Sequence, residues 1–355
     1  MKLLATIGTL CALLTAGPAY PFGGDGHMAV GNLADKLIEG TVAAGKVKAI
    51  LGSGEKLREA AVWPDCARSV AHKSDNSFKY TIDPEFHSKD CVIFETPEGQ
   101  KELEDYVARN WDNCEYSDKK QNCHKAFHVA DIPLQLGRYS ATSVGASTAD
   151  NVHAINACIA FLKNGTRTEP FRFSEGKQGQ REALRLLVHL LGDVHQPLHV
   201  GAVYLTANGR ATNPNKMTNP DPEALKKAIK AAETLGGNLL FIGGTDKDNL
   251  HKHWDAIATA LSKEDLTGEA AAVPANDGAI ETWAEAWATE SIQQARVAYK
   301  GLSFDKYQAV GKSHGWPVLF KDRVAYEKTQ REILREQVTR GGARLAEVLQ
   351  TIWPD

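Results

Sequence analysis

His189 and Asp193 stand four positions apart in the segment HLLGDVHQPLH, and the spacing recurs at His251 and Asp255 in NLHKHWD. On a helix, residues four apart project from one face, one turn from each other, so each pair presents an imidazole and a carboxylate to a common neighbour. Pro197 ends regular helix soon after His195, which lets His199 turn back towards the same cavity. Neutral imidazole with carboxylate oxygen is a ligand set that zinc accepts, and hydrolytic zinc sites leave a position open for water. One such pair is ordinary on a polar helix face. Two pairs, the first embedded in HxxxDxHQPLH, are far harder to reach by chance, and the chemistry to expect is metal-assisted hydrolysis.

The elements that must position these residues read as helices. Apolar residues recur at three- and four-residue spacing over 28–39, 149–163, 180–192, 222–235, 246–262, 279–300 and 325–351. Period-two alternation is nearly absent, so the expected fold is all-α, a single helical domain with long connections. Two stretches interrupt it as insertions: 69–122, rich in Asp, Pro, Ser and Cys, and 202–235, which opens on the polar, Asn- and Pro-rich loop 202–221.

The chain has 355 residues, 43% of them hydrophobic and 24% charged, ordinary proportions for a globular protein with a sizeable core. A formal net charge of −3 argues against a basic surface wrapped around nucleic acid. Any positive field for a polyanion must be local, and metal ions are the obvious source. Residues 1–19 read as a signal peptide: Lys2, an apolar run, then Gly17-Pro18-Ala19 as a small-residue cleavage site. The run is shorter than the ~20 residues of a membrane-spanning helix, so export without a membrane anchor is expected, to the periplasm or outside the cell. In an oxidising compartment Cys114 would bridge Cys123 across a short polar loop and Cys66 would pair with Cys91, leaving Cys158 as a small buried core residue. Asn164-Gly165-Thr166 is an acceptor pattern for glycosylation in a eukaryotic secretory pathway.

GDVHQPLH, followed by GGN and by NLHxxWD, resembles the trinuclear-zinc single-strand nucleases, the S-one/P-one family of type I nucleases, over nearly the whole mature chain. That family shares its helical fold with bacterial zinc phospholipase C. The resemblance places the family's N-terminal chelating residue on Phe22 and the following histidine on His27. Its WxDxxR pair falls on Asp65 and Arg68, and its LHFID-like segment on residues 127–131, FHVAD. It implies three zinc ions. Asp65, His128, His189 and Asp193 would hold the first. The backbone of Phe22, with His27 and a bridging Asp193, would hold the second, and His199, His251 and Asp255 the third. Water deprotonated between two zincs would attack phosphorus in line, with Arg68 and the third zinc stabilising charge, to leave 5′-phosphate products. Asp65, Arg68 and Asp193 thus carry the catalytic assignment. Asp131 and Asn238 would contact substrate, single-stranded DNA or RNA, and the enzyme would act as a monomer with possible 3′-nucleotidase activity.

The sequence departs from the family at three points. Phe22 stands where Trp is usual, Tyr20-Pro21 would precede it after signal cleavage unless trimmed, and Val129 replaces the aromatic of LHFID. His124 rivals His128 one helical turn earlier, while His195 and His253 read as positions outside direct metal contact. Trp283 and Trp287 read as core, and His72 and His87 receive no role. Two other functions remain open: a zinc phospholipase C acting on lipid phosphodiesters, and a non-catalytic zinc-binding protein.

Overall fold

The computed structural model describes residues 23–82, 90–114 and 121–355, and also leaves aside the side chains of 257–260. Phe22, the expected signal segment and His87 lie outside the described residues. Each expected helix is present: Gly23–Leu37, Asn151–Asn164, Gly176–His195, Pro222–Ala232, Leu250–Leu261, Ile280–Ala298 and Arg323–Ile352. Among the described residues no helix is long and apolar enough to cross a membrane.

The 20-residue helix Gly176–His195 is the axis of the molecule, with 185–195 buried without interruption. A helix buried on every side must be covered on every side, and this one is enclosed by Asn151–Asn164, Gly23–Leu37, Ile280–Ala298 and Arg323–Ile352. The 30-residue terminal helix Arg323–Ile352 lies along Gly23–Leu37, where backbones approach closely. A Cβ on Gly342 would stand 2.5 Å from Leu33 Cβ. Asp150 caps Asn151–Asn164 by accepting from the His153 amide, and Asp322 caps the terminal helix through the Ala325 amide.

The fold is mostly helical rather than strictly all-α. Ser313–Phe320 pairs antiparallel with Leu302–Phe304 and Gln308–Val310 and parallel with Leu240–Phe241. Three further pairs are two or three residues long: Val70–His72 with Phe78–Tyr80, Ile132–Pro133 with Gly201–Ala202, and Tyr204–Leu205 with Ala211–Thr212. Strands this short hold too few residues for a two-residue period to register, and burial along Ser313–Phe320 does not alternate.

The described part of 69–122 holds regular structure that its composition did not announce. It carries the 13-residue helix Pro97–Arg109, capped by Thr96, and its Phe94, Leu103 and Tyr106 join Trp63 and Met28 from outside the stretch in a small second core. Disulfides join Cys66 to Cys91 and Cys114 to Cys123, and Cys158 is free and buried. Overpacking a close helix crossing costs ~1–3 kcal/mol, so Gly342→Val should lower stability by about that amount in denaturant unfolding. An unchanged midpoint would mean that the terminal helix can move off Gly23–Leu37 at no cost.

Candidate metal centre

Asp193 lies at the buried end of the central helix, and four imidazoles close on its carboxylate. His189 Nε2 is 3.0 Å from Oδ2 and His128 Nδ1 3.1 Å from the same oxygen. His199 Nδ1 is 3.0 Å and His27 Nε2 3.5 Å from Oδ1. His189 and Asp193 share a helix face, as their spacing requires. His128 arrives on the turn after Cys123–Ala126, and the Ala130 amide donates to the His199 carbonyl at 2.7 Å. The paired Ile132–Pro133 and Gly201–Ala202 extend that connection. Gln196 sets the turn that presents His199: its side chain accepts from the Leu198 amide at 2.6 Å and donates to Asp255 at 2.9 Å.

His27 reaches the cluster from Gly23–Leu37 and stacks on His189, ring centroids 3.8 Å apart. That approach depends on Gly192, where a Cβ would come within 2.4 Å of His27 Nδ1. Asp65 sits on the short helix Trp63–Cys66, fastened by the Cys66 disulfide, with Oδ1 4.0 Å from His189 Nε2. His251 and Asp255 form the far side, with Nε2 to Oδ2 3.7 Å. Gly236 lets the chain pass there: its φ is +57° and a Cβ would fall 2.3 Å from the Leu198 carbonyl oxygen.

Backbone carbonyls fix how several rings face. His189 Nδ1 donates to the Ala61 carbonyl at 2.7 Å and His251 Nδ1 to that of Gly236 at 2.9 Å, which leaves each Nε2 as the lone-pair atom. His199 Nε2 and Asp65 Oδ1 are buried without a hydrogen bond. Three sets bring their donor atoms within 4.8 Å of one another: His27 with Asp65 and His189, His128 with His189 and Asp193, and His199 with His251 and Asp255. Buried imidazole and carboxylate atoms with open lone pairs suit a divalent cation such as zinc. His27 thus groups with Asp65 and His189 while staying near Asp193.

Electrostatics match this reading. Burial pushes His27 down to about 3, helped by His189, and burial with the neighbouring His199 pushes His251 down to about 3. Burial also opposes charge on His199, but Asp193 overrides it and lifts the imidazole to about 9. Burial favours neutral Asp193, yet His189 and His199 hold the carboxyl well below the usual range.

The remaining predicted residues take varied places. Arg68 is exposed, 3.5 Å from Asp65, and its charge is felt at His251, His124 and Lys125. Asp131 is pushed up to about 7 by burial and by Glu233, and Oδ1 has no hydrogen bond. Asn238 is exposed, its amide donating to the Leu235 carbonyl at 2.9 Å. His124 is buried but belongs to none of the three sets. His195 bonds the Leu191 carbonyl on one side and Arg344 on the other, and His253 lies 3.6 Å from Glu327. Trp283 and Trp287 are core. Sequence reasoning passed over Gly192 and Gln196. A glycine inside a helix is unfavourable by ~1 kcal/mol relative to alanine, which was the available signal for Gly192.

The S1/P1 Nuclease family model matches residues 22–354, and the chain belongs to that family. It is therefore a nuclease, a hydrolase acting on nucleic acid. No curated relative matches the chain. Gly192→Ala should displace His27 and lower bound metal by at least one ion per chain after dialysis, read by elemental analysis. Wild-type stoichiometry in a folded variant would remove His27 from the metal centre.

Proposed function

We propose that this nuclease is an exported, zinc-dependent endonuclease that cuts single-stranded DNA and RNA to 5′-phosphate products and also acts as a 3′-nucleotidase. The observation that carries the reading is the fully buried Asp193 carboxylate with four imidazoles within 3.5 Å. Asp65, His128, His189 and Asp193 would hold one zinc, and His199, His251 and Asp255 another. His27 and Asp193 would hold the third together with the amine and carbonyl of Phe22, after removal of residues 1–19 and of Tyr20-Pro21. Zinc among these donors would supply Lewis acidity towards phosphoryl oxygens and water.

Around the metals, this chain's own residues bind and orient. Arg68, at the exposed edge beside Asp65, supplies a fork of donors for phosphoryl oxygens that gain charge as the bond breaks. Gln196 holds Asp255, and the Ala61 and Gly236 carbonyls hold His189 and His251, so the donors are fixed before substrate arrives. Asp131, with its raised affinity for a proton, can accept from or donate to a base edge. Asn238, on the turn before His251, faces solvent for a second substrate contact. Residues 20–355 are assigned to one domain that works as a monomer, with a glycan acceptor at Asn164 where the host glycosylates.

The test is hydrolysis of denatured DNA by protein beginning at Phe22, with and without chelator, beside Asp193→Asn. Chelator should abolish cleavage and Zn²⁺ restore it. Losing even an outer partner of a metal ligand costs ~10–100-fold, so the variant should lose at least about 100-fold in kcat. Chelator-resistant cleavage would overturn the zinc assignment, and equal rates on duplex DNA the single-strand assignment.

A further inference from the structure

One group of side chains in 69–122 is unused by the candidate metal centre yet is tied by short backbone connections to residues proposed for it. The hairpin Val70–His72 with Phe78–Tyr80 sets His72 directly opposite Phe78. Trp111 completes a triangle of rings. His72 lies 4.8 Å from Phe78 and 5.0 Å from Trp111, and Phe78 lies 5.3 Å from Trp111, centroid to centroid. Phe78 and Trp111 are half-buried and rest on the small core around Trp63, whereas His72 is exposed.

The backbone ties this triangle to proposed site residues on two sides. Arg68 precedes His72 by four residues, a separation of at most ~14 Å along the chain. On the other side the Cys123 amide donates to the Trp111 carbonyl at 3.1 Å, and the His124 amide donates to that of Asn110 at 2.9 Å. Those bonds dock Trp111 onto the turn that delivers His128. Lys125, on that turn, stands close enough to Arg68 for their charges to interact. Lys73 adds an exposed cation at the hairpin tip.

We propose that His72, backed by Phe78 and Trp111, is a stacking platform for a base of the bound strand a few nucleotides from the cut, with Arg68, Lys125 and Lys73 tracking its phosphates. The inference rests on the nuclease reading and adds where the strand runs. Rings beside a line of cations are how single strands are held without sequence preference, because every base offers a π-face. A histidine that only filled a gap in the core would be covered; this one caps its two aromatic neighbours and shows its outer side to solvent.

The experiment compares His72→Ala, His72→Phe, Trp111→Ala and Trp111→Phe with wild type. The readout is kcat/KM on a single-stranded oligonucleotide divided by kcat/KM on a small aryl phosphodiester too short to reach the hairpin. Stacking is worth ~1–3 kcal/mol per base, so each alanine variant should lower this ratio by roughly 5- to 150-fold, mainly through KM. Each phenylalanine variant should restore most of it. Ratios within twofold of wild type in both alanine variants would overturn the platform, as would failure of phenylalanine to rescue either position. Anisotropy with a fluorescent phosphorothioate-linked strand reads binding without cleavage. Wild-type binding that weakens in His72→Ala, without hydrolysis of any strand, would sink the proposed single-strand endonuclease function and leave the platform standing.

Discussion

A carboxylate sealed from water among four imidazoles is the constraint on which the rest of this structure depends. Burying an ionised carboxylate is costly unless positive charge or hydrogen bonds meet it. Asp193 is met by His27, His128, His189 and His199, each drawn from a different part of the chain except His189, one turn earlier on its own helix. Without a metal the balance needs protons on some rings, and His199 and His189 are the two whose affinity for a proton is raised. A divalent cation would replace those protons, so metal affinity and pH are coupled through this one residue. The cluster is therefore costly to assemble and poised to take up cations.

Holding it together takes buried charge pairs at some distance. Arg185, one turn before His189, forms a two-pronged pair with Glu55 at 2.8 and 2.7 Å and a third bond to Glu102 at 2.8 Å. Its guanidinium also lies over Trp63, the residue that begins the short helix bearing Asp65. On the opposite side Arg344 joins His195 to Glu290 and so ties the helix end to the terminal helix. The Arg185–Glu55 pair is buried on both sides; such pairs add little net stability, but breaking one leaves an uncompensated charge that costs ~3–5 kcal/mol. Their effect here is to fix which face of the central helix meets His27 and Asp65, a matter of ångströms that apolar packing alone would leave looser.

What the sequence revealed follows the range of the interactions. Both His-x-x-x-Asp pairs, the Pro197 turn and the long helices are local patterns, and the structure contains all of them. Both disulfide pairs were expected, Cys114–Cys123 from its short polar loop and Cys66–Cys91 as the second pair, with Cys158 left to the core. The sheet around Ser313–Phe320 was not, because its parallel partner Leu240–Phe241 is distant in sequence and too short to carry a period. The helix Pro97–Arg109 was hidden by the Pro, Asp and Cys of its surroundings, though Thr96 followed by Pro97 is a recognisable helix start. His195 lies inside the metal motif but was read as outside direct metal contact, and its contact with Arg344, 149 residues away, supplies the structural role the sequence could not name. Gly192 was visible as a residue but not as a requirement until His27 was seen against it.

The same geometry explains how a chain of net charge −3 can handle a polyanion. At physiological ionic strength exposed charges are screened beyond ~8 Å, so the overall balance says little about any one cleft. Near the metal centre the local balance differs from the global one. Arg68 and Lys125 stand together at its edge, while Asp65, Asp193 and Asp255 are turned inward to the imidazoles. The carboxylates that would repel phosphate are the ones placed to hold cations in the proposed centre. Metal held among these donors would add further positive charge where a phosphate arrives.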